Sequence, residues 1–514
     1  MYDNVLIIDY GSQYTQLIAR KVRELKVFSN VYPYNKINIK LLNKLKPTAI
    51  ILSGGPNSVS NKKSPKLSKF ILNLNVPILG ICYGMQLICF SQGGQIIKSK
   101  SSEYGSTYIS LTMKSILFDG FKNKKQKVWM SHGDHINKIP KNFKQTSVTS
   151  NGIISSIENK KLNLYGIQFH PEVYHTINGK KILNNFLFKI CHIKNKFKLE
   201  SFVKSKILKL KTQLKNKKVI CGLSGGVDST VTAFLLYKAI KNNLFCIFVD
   251  HGLLRKNESE KVTNIFKKKF KKNFVKINAS KIFLKNLKNT ADPEKKRKII
   301  GKTFIEIFEK EAKKIKNVNY LAQGTLYPDI IESIPFFGGP TAKIKSHHNV
   351  GGLPKKMNLK IVEPLRELFK DEVRKIGVKL KISSNLINRH PFPGPGLAIR
   401  IPGSINKEKI SILQEADFIF IEYLKEKKLY NKIWQAFAVL LPVKSVGVMG
   451  DSRTYNYSVV LRAVTSVDGM TADFFMFKKS DFNNLSNLII NNVKGINRVL
   501  YDFTSKPPGT IEWE

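Results

Sequence analysis

Short Val/Ile/Leu-rich runs, each followed by a longer helical pattern, constrain this chain more than any other feature. They are Val5–Asp9, Ala49–Leu52 and Val76–Ile81 near the start, then Val219–Leu223, Leu244–Val249, Phe274–Ile277 and Tyr320–Ala322. A strand that is apolar on successive residues must be buried on both faces. Helices between the strands supply the cover, so the pattern predicts parallel sheets inside αβα layers. With 514 residues the chain is too long for a single core. The stretch Lys194–Lys218 is polar and rich in lysine, with Phe202, Ile207, Leu208 and Leu214 spaced for a linker helix, which sets a boundary at 196/197. The segment His390-Pro391-Phe392-Pro393-Gly394-Pro395-Gly396 stops any regular element. The expected architecture is α/β: two parallel-sheet αβα domains, 1–196 and 197–389, then a small α+β domain, 390–514.

Lys and Arg number 87 against 36 Asp and Glu, a formal net charge of +51. Such an excess gathers polyanions non-specifically. Only 11 of the 87 are arginine, the other 76 being lysine. A surface selected to grip phosphates or read bases uses the bidentate guanidinium more heavily. The expectation is compositional bias, with no specific nucleic-acid partner. Five cysteines (Cys82, Cys89, Cys191, Cys221, Cys246) form neither a CxxC pair nor a metal-ligand spacing, which suits a reducing cytoplasm. The N-terminus runs into the first strand without a basic, cleavable leader, and no stretch approaches the roughly 18 apolar residues of a membrane span. A cytoplasmic protein without membrane contact is expected.

Gly80-Ile81-Cys82-Tyr83-Gly84 follows an apolar strand and precedes a helical pattern. That is a nucleophile elbow with cysteine in the serine position. A thiol at a helix N-terminus is favoured as thiolate by the helix dipole. Downstream, Phe169-His170-Pro171-Glu172 puts two side chains two residues apart, on the same side of an extended segment. Glu172 can then orient His170, and the three side chains make an acyl-transfer triad. Ser53-Gly54-Gly55-Pro56, a glycine-rich turn after a strand, can aim backbone N–H groups at an oxyanion. Cys89 reads as core.

Ser224-Gly225-Gly226-Val227-Asp228-Ser229-Thr230 lies between the strand Val219–Leu223 and a helix. Two glycines admit phosphates close to the backbone, and the hydroxyls with the helix N-terminus complete an anion cradle. Asp228 can hold a magnesium ion. The GK[ST] element of a Walker loop is missing. The pair His347-His348 does not read as a metal site, since neighbours in extended chain point opposite ways.

Over residues 1–195 the first set of motifs resembles the class I glutamine amidotransferases. The resemblance implies Cys82 as nucleophile, His170 as base and Glu172 as its orienter, with the backbone N–H groups of Gly55 and Tyr83 as oxyanion hole. Ser131-His132-Gly133-Asp134 resembles that family's glutamine-side loop, in which His132 could equally be structural. The second loop resembles the PP-loop of ATP pyrophosphatases, which adenylylate a substrate oxygen. The family places adenine beyond the next strand, at Val249–Arg255. Asp292-Pro293-Glu294, Lys296-Arg297-Lys298, Gln323–Asp329, Lys345–Asn349 and Lys506–Glu514 resemble the GMP synthetase family, and the likeness runs end to end. It implies glutamine, ATP and xanthosine monophosphate (XMP) as substrates, Mg²⁺ as cofactor, and a homodimer built on residues after 390. It further implies nucleotide contacts from Arg297, Lys506 and Glu512, and lid residues Asp329, Glu332, Lys345 and His347. The alternative is another PP-loop enzyme, such as one that modifies tRNA, which would need the paired thiols this chain lacks.

Overall fold

The first aliphatic runs become neighbouring strands of one sheet. The computed structural model describes residues 2–332, 359–466, 469 and 471–514. They form two compact units, one built on Met1–Phe202 and the other on Val203–Ile330 together with the described residues from 359 to 514. The first unit contains β1 (Asn4–Asp9), β2 (Phe28–Pro33), β3 (Ala49–Leu52), β4 (Ile78–Ile81), β5 (Gln95–Leu111), β6 (Lys125–Lys138), β7 (Lys144–Thr149), β8 (Ile154–Asn159) and β9 (Leu164–Ile167). Their order is β2-β1-β3-β4-β9-β8-β7-β5-β6. From β2 to β9 the pairs are parallel, and Val5 to Ile8 and Ala49 to Leu52 are wholly buried, as the continuous runs require. From β9 to β6 the sheet is antiparallel, a half that the aliphatic runs do not signal. In β6 burial alternates, with Val128 and Met130 inward and Lys125 and Lys127 outward.

In the second unit β10 (Lys218–Leu223), β11 (Leu244–Asp250), β12 (Phe274–Asn278), β13 (Val318–Ala322) and β14 (Lys360–Val362) form a wholly parallel sheet, ordered β12-β11-β10-β13-β14. The order reverses at β10. Crevices at such switch points, beyond the carboxyl ends of the strands, are where open α/β sheets bind ligands. The polar stretch 194–218 holds the helix Leu199–Gln213, which buries Phe202 and Leu210 but leaves Leu208 two-thirds exposed.

After the proline-glycine segment come β15 (Gln435–Met449), β16 (Ser452–Thr465), β17 (Asp473–Phe474) and β18 (Ile496–Tyr501). The helix Lys407–Glu426 packs Leu413, Ala416 and Phe420 onto Ala438, Leu440 and Leu461. One apolar cluster runs from Ile220 and Ile247 through Leu397 to Ile496, so the elements before and after the proline-glycine segment share a core. The C-terminal tail wraps a fully buried guanidinium: Arg462 donates to the carbonyls of Thr504, Thr510 and Ile511 at 2.9–3.0 Å and pairs with Asp502 at 2.8 Å.

Candidate active site

Cys82 sits between β4 and the helix Tyr83–Ser91 with φ 52° and ψ −108°, a backbone that L-residues adopt only under constraint. The constraint is close packing. A Cβ on Gly80 would lie 2.4 Å from the Gly84 carbonyl, and one on Gly84 would lie 2.4 Å from the Leu52 oxygen. Gly84→Ala is therefore expected to destabilise the first unit by about 2 kcal/mol, the scale of core overpacking. Denaturant unfolding checks this, and a wild-type midpoint would contradict the close approach.

His170 and Glu172 leave β9 in a turn, not in the extended segment expected, and still meet: His170 Nδ1–H donates to Glu172 Oε1 at 2.7 Å. Burial alone would favour the neutral ring. The Glu172 charge and hydrogen bonding to Cys82 and Glu172 outweigh it and push the His170 pKa up to about 10. Tyr14 closes the ring's other side at 4.9 Å, edge to face. The Ser53–Pro56 turn lies against the same group. A Cβ on Gly54 would stand 3.2 Å from His170 Cε1, and one on Gly55 would meet Tyr10 O at 2.6 Å and the Tyr83 ring at 3.3 Å. Tyr83 opens its helix, where N–H groups lack an intrahelical acceptor. Its hydroxyl donates to Pro65 O at 2.7 Å, which anchors the elbow. Cys82, His170 and Glu172 thus lie together, with Gly55 packed against Tyr83 and Gly54 against His170. His132 lies inside β6, with Nε2 3.1 Å from Glu103 Oε2 and Nδ1 3.0 Å from the Asp134 carbonyl, so its ring is held by protein groups. Cys89 is wholly buried, and burial pushes its thiol up to about 12.

The second loop leaves β10 at the switch point. Gly225 has φ 75°, and a Cβ there would lie 2.9 Å from Val262. Gly226 caps the helix Val227–Ile240; its N–H donates to Ser224 Oγ at 3.3 Å, and Thr230 Oγ1 donates to its carbonyl at 2.7 Å. Ser224 and Ser229 hydroxyls are 3.1 Å apart. Asp228 lies in the first helical turn with Lys370 Nζ at 4.0 Å, and Gly324, after β13, approaches its backbone closely. His251, beyond β11, is buried and accepts from the Leu253 N–H at 3.0 Å; desolvation holds its pKa down at about 4.

The expected nucleotide contacts converge on the C-terminus. Arg297, on the helix Pro293–Lys313, donates to the main-chain oxygen of Glu514. Lys506 Nζ donates to Gly469 O at 2.7 Å. Glu512 is gripped by Arg400 through Nε (3.1 Å) and Nη2 (2.9 Å), and by Gln435 at 2.6 Å. Asp329 Oδ2 accepts from Leu326 N–H at 2.8 Å. Glu332 ends the helix Tyr327–Glu332, while Lys345 and His347 lie outside the described residues. Three polar groups escaped the sequence reading. Lys296, fully buried, donates to Ala398 O (3.1 Å), Ile401 O (2.8 Å) and Glu514. Arg389 donates to Gly225 O at 3.2 Å beneath the loop. Gln168 stands 3.6 Å from Cys82 Sγ. Arg389 is signalled by the rarity of arginine and Lys296 by its place in the Lys296-Arg297-Lys298 motif, whereas Gln168 carries no signal.

Comparison with known proteins follows the same division. The profile described as "Glutamine amidotransferase class-I" matches residues 6–190, "NAD synthase" matches 197–304, and "GMP synthase C terminal domain" matches 422–513. A GMP synthase (glutamine-hydrolyzing) of Brachyspira hyodysenteriae is 53% identical over 512 residues, covering 100% of this chain and 99% of that protein. Those of Bradyrhizobium diazoefficiens and Zymomonas mobilis are 52% and 51% identical, each over 100% of this chain and over 93% and 98% of their own lengths. With similarity at that level from end to end, and both motif sets seated at the carboxyl ends of their strands, the chain belongs to the glutamine-hydrolysing GMP synthase family.

Proposed function

We propose that the chain makes GMP: XMP, ATP, glutamine and water give GMP, AMP, pyrophosphate and glutamate. The observation that carries this is full-length relatedness to GMP synthases in a chain whose cysteine elbow and phosphate loop are both intact. In the first unit Cys82 Sγ attacks the side-chain carbonyl carbon of glutamine. His170 takes the thiol proton and returns it to the departing nitrogen, Glu172 holds the ring, and the N–H groups of Gly55 and Tyr83 receive the oxyanion. Ammonia leaves, and water hydrolyses the thioester to glutamate. Support comes from the 2.7 Å His170–Glu172 bond and from the Glu172 charge, which raises the basicity of the ring that takes the thiol proton.

In the second unit Ser224, Gly225, Gly226, Val227, Ser229 and Thr230 receive the phosphates of ATP. The O2 oxygen of XMP attacks the α-phosphorus, pyrophosphate leaves, and ammonia then displaces AMP. Asp228 would hold Mg²⁺. It is a single carboxylate in the first turn after the phosphate loop, which suits an ion that draws most of its oxygens from phosphate and water. The ion supplies neutralisation of charge on the departing pyrophosphate. Arg297, Lys506 and Glu512 are assigned to XMP.

The division into 1–196 for glutamine hydrolysis, 197–389 for ATP and 390–514 for dimerisation and XMP binding is supported by the spans of the three profiles. A homodimer is supported by apolar side chains exposed on the β15–β16 hairpin, among them Val443, Val446, Val448 and Tyr455. Cytoplasmic residence is supported by five free, buried cysteines; no helix of the described residues is long and apolar enough to cross a membrane. The test is GMP formation from XMP and ATP, first with glutamine and then with ammonium. GMP in neither assay overturns the reading. If the lysine excess is compositional, binding to a random duplex will be weaker than about 1 μM at physiological salt and will collapse as salt rises. Fluorescence anisotropy checks this, and salt-resistant binding would restore a nucleic-acid role.

A further inference from the structure

Gln168 is fully buried one residue from the triad segment, and neither the triad nor the oxyanion turn uses it. Its amide faces the sulfur, and the orientation of that amide follows from its surroundings. The Asp134 carbonyl can only accept, so the Gln86 atom 2.9 Å from it must be the amide nitrogen. That same nitrogen lies 3.3 Å from the Gln168 side chain and donates to it, so the Gln168 atom there must be the oxygen. The remaining end of Gln168, 3.6 Å from Cys82 Sγ, is therefore its NH₂ group. The Asp134 carbonyl at the head of this chain is itself fixed, since His132 Nδ1 sits 3.0 Å away and His132 Nε2 is tied to Glu103. Glu103 is tied in turn to Asn151 at 3.0 Å.

We propose that Gln168 is a hydrogen-bond donor to the Cys82 nucleophile, and that the chain Glu103–His132–Asp134 carbonyl–Gln86 exists to keep its amide in that orientation. Besides His170, whose ring hydrogen-bonds the sulfur, the Ser131 carbonyl stands 3.6 Å away, where it can accept from the thiol but offers nothing to a thiolate. Gln168 offers a donor to the charged sulfur before it attacks the glutamine amide, and again when the thioester breaks and sulfur leaves. Hydrogen bonds to charged groups are the stronger class. The Ser131–Asp134 motif thereby gains a positioning role, acting through Gln86 and Gln168.

The inference rests on Cys82 being the nucleophile, and the experiment separates the two. In Gln168→Met the donor is lost and the volume nearly kept. Glutamine-dependent kcat is expected to fall on the order of 10- to 100-fold, the worth of one hydrogen bond to a charged group, with KM for glutamine little changed. The pH at which iodoacetamide alkylates Cys82 at half its maximal rate is expected to rise by roughly one unit. Ammonium-dependent GMP formation, which bypasses Cys82, serves as the control for folding. Unchanged kcat overturns the proposal, and so does lost turnover with an unmoved alkylation profile, since a role in shape alone leaves the protonation of sulfur where it was. Should Gln168→Met not fold, Gln168→Asn, which withdraws the amide by one methylene, is read the same way. If alkylated wild-type protein keeps glutamine-dependent turnover, the failure lies with the Cys82 reading and not with Gln168.

Discussion

Cys82→Ala is expected to lower glutamine-dependent GMP formation by at least about 1,000-fold, the scale on which loss of a catalytic nucleophile is felt. Ammonium-dependent formation should stay essentially unchanged. The substitution removes the sulfur proposed to carry the glutamyl group and disturbs little else, because alanine inherits the same backbone. That backbone, at φ 52° and ψ −108°, costs any L-residue on the order of 1–3 kcal/mol. A paired variant exploits this cost: Cys82→Gly should be as inactive as Cys82→Ala but harder to unfold by about 1 kcal/mol, glycine being free of the steric penalty. Steady-state rates with both nitrogen sources, beside denaturant melts of both variants, check the pair. Loss of ammonium-dependent activity in a folded Cys82→Ala protein would end the division of labour between the units. Equal melts would mean that the elbow is not strained and that the glycines around it serve packing alone.

The strands that were legible in the sequence are those that obey a local rule. Ala49–Leu52 is a strand over the very residues that are continuously apolar, and Phe274–Ile277 gains one residue. Ala49–Leu52 lies inside parallel sheet, where burial on two faces writes itself into consecutive residues; Phe274–Asn278 is the edge strand β12, and its run already carries the exposed Lys276. The antiparallel half of the first sheet is written differently. In Lys125–Lys138 the inward positions include Gln126 and His132, and Trp129 is among the positions between them, so no clean alternation of apolar and polar residues survives. Its pairing with β5 is long-range, and the lysine-rich composition blurs what period there is. The same composition carries a second signal. Where lysine outnumbers arginine so heavily, an arginine marks a place where a planar fork is needed. Arg23 donates to both the hydroxyl and the carbonyl of Ser29, Arg389 binds the Gly225 carbonyl, Arg400 grips Glu512 and Arg462 holds the tail. Each engages two or more guanidinium nitrogens, Arg389 also donating to Glu258, a planar spread that the single nitrogen of lysine does not have. Gln168 had no such signal, because a neutral side chain beside a motif looks like any other until its neighbours fix which end of the amide faces the sulfur.

Asp228→Asn should cut GMP formation from glutamine and from ammonium alike, on the order of 100-fold or more, because both routes share the adenylylation step that the proposed magnesium serves. The substitution keeps the shape of the side chain and removes its charge. Two lesser effects have to be set against that. Asp228 stands in the first turn of the helix Val227–Ile240, where an acid favours the helix N-terminus by about 0.3–1 kcal/mol. It also faces Lys370 at 4.0 Å, but both side chains are partly exposed, and such pairs contribute about 0–1 kcal/mol. Neither would remove turnover from a protein that remains folded; both would show as a small drop in stability. The carboxylate's part is thus read from rate, not from melting. Cys82 lies in the other unit, and its alkylation by iodoacetamide should proceed as in wild type, which marks the lesion as belonging to the phosphate loop. Raising magnesium should recover part of the rate if the amide oxygen still binds the ion weakly. Wild-type ammonium-dependent turnover at saturating magnesium would remove Asp228 from the metal site and leave it a helix-terminal acid, with the pyrophosphate held by the loop's own N–H groups and hydroxyls.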